Sequence, residues 1–230
     1  MAKPEGSEKA ERGSSERVRV SATGEQSYTT IEGRAQAEVV EKKSRFIASL
    51  AHVESEDEAV AFIEEVKAAN RMARHNVYAY VLREGGRVRY SDDGEPQKTA
   101  GLPTLEAIRH AGLTDVAVVT TRYFGGILLG TGGLVRAYTA AAQAGIENAK
   151  LVVVSRCVEV RAVLPYSLYE QAVRIAETGE AKVMQSDFSD EVRLTFRMLA
   201  GTEDPLVEKL SELSRGQAVI EVGEPFDAAF

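Results

Sequence analysis

The stretch Thr121-Arg122-Tyr123-Phe124-Gly125-Gly126-Ile127-Leu128-Leu129-Gly130-Thr131-Gly132-Gly133 decides how the first half of the chain is read. An apolar run, Val116-Ala117-Val118-Val119, precedes it, and an alanine-rich segment follows. A strand, a glycine loop and a helix are therefore predicted in succession. Five glycines fall within positions 125–133, where close packing of a helix on a sheet needs only one or two. Glycine permits positive φ and lets another molecule approach the main chain. The helix behind it offers unpaired amides and the positive end of its dipole, a setting for phosphate or carboxylate. Gly125, Gly126, Gly130, Thr131, Gly132 and Gly133 are the candidate main-chain contacts, with Arg122 as a charge clamp and Tyr123 beside it. The loop is not a Walker A motif, because no Gly-Lys-Ser/Thr follows, and it lacks dinucleotide spacing.

Working upstream, periodicity predicts a short strand over residues 28–31 and a pair of strands over 35–41 and 44–52. Ser55 and Glu58 fit a capping box for a helix reaching about Ala69. Strands follow over 76–83 and 87–91, with a tight turn at Glu84-Gly85-Gly86. A polar loop spans 92–101, Pro103 is read as the first helical residue and Gly112 as the stop. The next strand covers 115–121, and the helix after the glycine loop is placed at about 134–148. Downstream, strand 151–164, a helix opened by Pro165, strands 181–188 and 191–199, helix 203–213 and strand 217–222 give the order βαββαβ. That order is the ferredoxin-like split unit. Residues 1–26, rich in Glu, Lys, Arg, Ser and Gly, read as a disordered tail. The expected division is a tail over 1–26, a first domain over 27–149 and a second over 150–225, in the α+β class.

The chain has 230 residues and a formal net charge of −7, unevenly placed. From Asn70 to Ala140 nine Lys/Arg face six Asp/Glu; from Leu151 onward eight face fourteen. A uniformly basic nucleic-acid binder is excluded, while a basic face on the first half is not. Arg71, Arg74, Arg83, Arg87, Arg89, Arg122 and Arg136 would supply it, a solvated mixed-charge surface being the blander alternative. The single cysteine, Cys157, excludes an internal disulfide and reads as a small buried apolar residue. No apolar run spans a bilayer and no secretory h-region is present, so a cytoplasmic location is expected and no membrane partner.

In the loop 91–103, Asp92, Asp93 and Glu95 lie within four positions. Such carboxylates would suit a hard cation, but Asp and Gly also favour turns. The expectation is a ligand-facing loop with Thr99 and Gly101 among its contacts, and neither a metal nor a cofactor. His75, at the mouth of a loop, or a loop carboxylate is the acid–base candidate. Arg71, Arg74, His75 and Arg136 are the candidate nucleic-acid contacts. Tyr78, Tyr80, Tyr90, Tyr123 and Phe124 interleave with these arginines. Aromatics on such a surface stack bases of single-stranded RNA, although Tyr78 and Tyr80 fit a core equally well.

Three blocks resemble the YigZ/IMPACT family: His75-Asn76-Val77-Tyr78-Ala79-Tyr80; Asp92-Asp93-Gly94-Glu95-Pro96 with Thr99-Ala100-Gly101-Leu102-Pro103; and Arg122-Tyr123-Phe124-Gly125-Gly126 through Gly130 and Gly133. Lys98 departs from the pattern, where the family usually carries glycine. The resemblance implies a first domain similar to domain IV of elongation factor G, with a left-handed βαβ crossover. It implies a second domain similar to domain V of the same factor. Eukaryotic relatives carry an additional N-terminal domain and regulate translation under amino-acid starvation. That domain finds no counterpart among the first residues here, so its partner is not carried over. The peptidase label of some bacterial relatives lacks its metal-ligand clusters here.

Three functions remain in play. The favoured one is a non-catalytic cytoplasmic protein of translation or stress regulation that binds RNA, the ribosome or a translation component through the first domain. The second is an enzyme acting on a small phosphorylated or carboxylated metabolite between the two loops. The third is a protein-interaction module using the acidic second domain.

Overall fold

The computed structural model describes residues 27–230; the tail expected over 1–26 lies outside them. The molecule is a mixed α/β protein with two antiparallel sheets and five helices.

The first sheet is built from β2 (Arg34–Glu41), β3 (Ser44–His52), β4 (His75–Val81), β5 (Val88–Ser91) and β6 (Val116–Tyr123). Their order is β2-β3-β6-β4-β5. Both β3 and β4 pair antiparallel with β6, so they run parallel to each other on either side of it. Helix α1 (Glu56–Ala69) makes the crossover between them. It starts as predicted: the Glu58 amide donates to the Ser55 hydroxyl at 3.2 Å, and Glu58 reaches back to the Glu54 amide. Its apolar stripe, Phe62, Ile63 and Val66, packs on Ala51, Tyr80, Ala117 and Val119.

Helices α2 (Gly101–His110) and α3 (Thr131–Glu147) cover the opposite face. There Phe46, Ala48, Leu50, Val77 and Val118 meet Ile108, Leu134, Tyr138 and Ala141. Strand β6 is thus buried on both sides, which is why Val116-Ala117-Val118-Val119 shows no polar alternation. Gly145 lets α3 lie against the sheet, since a methyl there would collide with Leu50.

The second sheet centres on β7 (Leu151–Leu164), flanked by β9 (Val192–Leu199) and then β8 (Lys182–Phe188). Strands β10 (Val219–Val222) and β11 (Phe226–Ala229) also pair with β7. Helices α4 (Tyr169–Thr178) and α5 (Asp204–Leu213) cover one face through Ala172, Ala176, Leu206 and Leu210. The short strand β1 (Tyr28–Ile31) precedes the first sheet in sequence but pairs with residues 151–154 of β7.

The helix starts differ from the sequence expectation. Helix α3 opens at Thr131 instead of residue 134, so Gly132 and Gly133 lie inside its first turn. Helix α2 opens at Gly101, two residues before Pro103. The Asp92 carboxylate takes the Ala100 and Gly101 amides at 3.0 and 2.8 Å, a cap supplied from a distant position that no local pattern signals. Strand β11 carried no sequence signal, being short and set against a partner 71 residues away, as in the Asp227–Arg156 pair.

Candidate functional site

The three blocks singled out in the sequence converge at one end of the first sheet. In the strand register, Arg122 lies opposite both His75 and Phe46, and Tyr123 lies opposite Arg45. The same end therefore receives the β2–β3 turn, the segment leading from α1 into β4, the 92–101 loop and the glycine loop.

The loop carboxylates turn inward. Besides the Ala100 and Gly101 amides, Asp92 accepts from the Lys98 amide at 2.8 Å. Asp93 accepts from the Asn76 amide at 2.6 Å. Glu95, buried, accepts from Arg122 Nη1 at 2.6 Å and from the Tyr138 hydroxyl at 2.8 Å. Burial and the Glu95 charge together hold the Tyr138 phenol far above its ordinary pKa, so it stays a donor. Thr99 closes the turn through a 2.6 Å bond to the Pro96 carbonyl. Gly101 is obligatory for packing, because a Cβ would sit 2.7 Å from the Ser91 carbonyl. Among the described residues no group of three or more His, Cys, Asp and Glu side chains is arranged to hold a metal ion.

Arg122 is accordingly not the exposed charge clamp its position suggested. It is a buried partner of Glu95, lying 5.5 Å from the Phe46 ring centroid and 5.6 Å from that of Phe124. Sequence spacing could not reveal this, because Glu95 and Arg122 are 27 residues apart. His75 Nδ1 meets the Asp93 carbonyl at 2.8 Å. A carbonyl only accepts, so Nδ1 carries a proton and donates it to this bond. Tyr123 donates to Asn70 at 2.9 Å. Tyr80 is a core residue: burial and a hydrogen bond to Glu56 push its phenol up to about 12. Cys157 is buried, which raises its thiol pKa.

The glycine loop divides into packing and exposed parts. A Cβ on Gly125 would run into the Lys43 carbonyl and the Ser44 amide, and the Gly125 amide donates to the Ser44 hydroxyl at 3.1 Å. Gly126 and Gly130 take φ of +85° and +71°. Gly132 is exposed, and the only neighbour of a Cβ there would be Arg136 Nη1 at 3.6 Å. Helix α3 has no side-chain cap. Its first main-chain bond from outside is Leu134 N to Gly130 O, and no described residue accepts from the Thr131, Gly132 or Gly133 amide. Their donors stand at the positive end of a 17-residue helix, beside an arginine.

Cation pairing sharpens the picture. Arg34, Arg45, Lys67, Arg83, Arg87, Arg89, Arg109, Arg122 and Lys150 all contact a carboxylate. Lys42, Lys43, Arg71, Arg74, Lys98 and Arg136 are exposed and contact none among the described residues. All six lie on the turns and helix ends gathered at this end of the sheet. The predicted basic face thus loses Arg83, Arg87, Arg89 and Arg122 to internal pairs. It gains Lys42, Lys43 and Lys98, which only the folded arrangement brings to Arg71, Arg74 and Arg136.

This surface coincides with a known domain. The Impact N-terminal domain model matches residues 42–146, and a domain of unknown function, DUF1949, matches residues 163–217. The IMPACT family member YvyE of Bacillus subtilis (strain 168) is 33% identical over 199 residues, covering 86% of this chain and 92% of that protein. The chain belongs to the IMPACT family. An IMPACT family member of Thermus thermophilus is 39% identical, covering 78% of this chain and 98% of that one. YigZ of Escherichia coli (strain K12) is 35% identical, covering 76% and 87%. A solved structure described only as a hypothetical protein matches with a TM-score of 0.56 at 31% identity, covering 85% of this chain and 97% of that one. No helix among the described residues is long and apolar enough to cross a membrane.

Proposed function

We propose that this IMPACT-family chain is a non-catalytic cytoplasmic protein of translation or stress regulation that binds RNA, free or within the ribosome, through the strand-end surface of its first sheet. The observation that carries this reading is the segregation of charge. The loop carboxylates Asp92, Asp93 and Glu95 are engaged by internal amides and Arg122, while six exposed cations and the exposed Thr131 and Gly132 amides at the start of α3 remain for phosphate, against one exposed carboxylate, Glu41, at the end of β2. Phosphate neutralisation by such groups supplies most of the affinity in sequence-independent binding. Family membership is consistent with a role related to translation: "Protein IMPACT homolog" is the name of matching proteins in Dictyostelium discoideum and Saccharomyces cerevisiae. This chain spans only 28% and 37% of their lengths, so their wider activities stay with them.

The architecture lends support of its own. The order β10-β7-β9-β8, reached through a β-α-β-β-α-β chain path, favours a ferredoxin-like second domain. The β3-α1-β4 crossover around β6 favours a first domain like domain IV of elongation factor G. A division near residue 150 belongs to the same reading.

The test is direct binding of purified protein to RNA at low salt. Lys42, Lys43 and Arg136 are replaced together by alanine, and Arg161→Ala on the second sheet serves as control. Binding that is lost in the triple variant and kept in the control supports the reading. No RNA affinity in the wild-type protein, or an undiminished triple variant, defeats it.

A further inference from the structure

Between β6 and α3 the chain pushes an apolar finger into solvent. Phe124 is 55% exposed, Ile127 42% and Leu128 83%. Met72, 88% exposed, projects from the neighbouring α1–β4 segment. Large apolar side chains clustered this way mark an interaction surface. The finger is also held firmly at its base. Gly125 is seated on the Lys43 main chain, and the Arg122 guanidinium lies behind the Phe124 ring, itself fixed by Glu95. Lys42 and Lys43 lie on one flank, and Arg136 marks the start of α3 on the other.

We infer that this finger receives unpaired nucleotide bases, so that the surface prefers single-stranded RNA to duplex; the inference rests on the RNA reading above. An aromatic face stacks on any exposed base, and aliphatic neighbours wedge against the next one. In a duplex the base faces are already stacked on each other and closed to Phe124. Flanking cations hold the phosphates on either side of the stacked base. An anionic membrane would also meet an apolar tip ringed by cations. A single ring, braced from behind by a guanidinium on a glycine-tight backbone, suits a flat rigid partner better than mobile acyl chains.

The experiment compares wild type, Phe124→Ala and Phe124→Tyr by fluorescence anisotropy. The probes are an unstructured RNA oligonucleotide, a hairpin duplex of equal charge, and vesicles containing phosphatidylserine. Because Phe124 is exposed, all three proteins should melt alike, and circular dichroism checks this. Phe124→Ala should weaken single-strand binding roughly 5- to 150-fold, the loss of one base–aromatic stack. Duplex binding should scarcely change, and Phe124→Tyr should restore the wild-type preference. If wild type binds RNA but Phe124→Ala binds single strands equally well, or duplex is preferred, the finger is not a base platform while the RNA reading survives. If vesicles bind in a Phe124-dependent way and RNA binding is indifferent to it, the finger serves lipid. If wild type binds no RNA at all, both inferences fall together.

Discussion

The two sheets of this protein solve burial differently, and the difference locates function. The first is covered on both faces, by α1 on one side and α2 with α3 on the other. Only its strand ends and loops meet solvent, so whatever it binds must be met there. The second is covered by α4 and α5 on one face only. Its other face carries alternating polar positions, Glu159, Arg161, Arg193, Thr195 and Arg197, around a broad open cleft. In that cleft Arg161 and Arg197 are already paired with Glu159, which leaves Arg193 as its one arginine without a carboxylate among the described residues. At the strand ends of the first sheet six cations are left over. Openness alone therefore does not mark the site; unspent charge does.

The sharpest way to break this comparison is to remove the buried charge that sets up the strand-end surface. Arg122→Ala leaves Glu95 buried without its cation and should cost about 3–5 kcal/mol of stability. Arg161→Ala, exposed on the second sheet, should stay within about 0.5 kcal/mol. Denaturant melts of the two variants measure the contrast, and equal small losses would mean the Arg122–Glu95 pair is dispensable. Gly125→Ala comes next. Its methyl must displace the Lys43 main chain, so a loss of about 1–3 kcal/mol is expected. The displaced β2–β3 turn should also weaken RNA binding. A gain of stability instead would show that the loop does not pack as described.

The smallest effect should be opposite in sign. Lys98 stands where the family resemblance expects glycine, and its φ is +61°. The residue departs from the pattern while the backbone keeps the left-handed path that glycine adopts freely. Lys98→Gly should therefore relieve about 1 kcal/mol of strain, partly offset by glycine's greater freedom in the unfolded chain. Thermal melting reads this directly. The same substitution removes one outward cation and should weaken RNA binding slightly.

Much of the fold was legible because its signals are local. Alternation along β9, the helical stripe Phe62-Ile63-Val66 and the Ser55 cap each sit within a few residues. The site was legible only as a set of blocks. Their convergence showed through motif and resemblance, but the partner of each side chain did not. Arg122 looked like an anion clamp because Glu95 is distant in sequence. Asp92 looked like a ligand-facing loop carboxylate because the amides it caps, at 100 and 101, lie beyond the turn. Lys42 and Lys43 fall between the two strands expected over 35–41 and 44–52, and nothing local shows that the Lys43 main chain lies against Gly125. Strand β1 falls within the first domain as expected over 27–149, and its pairing with β7, more than a hundred residues away, has no local signal.

The central claim is that unpaired cations at the strand ends of the first sheet meet phosphate. It is tested most directly by the salt dependence of RNA binding. For the variant lacking Lys42, Lys43 and Arg136, the slope of log K against log salt should become shallower by about 0.7 for each phosphate contact removed, or about 2 in all. Arg161→Ala should leave the slope unchanged. A triple variant whose slope matches wild type would contradict the account.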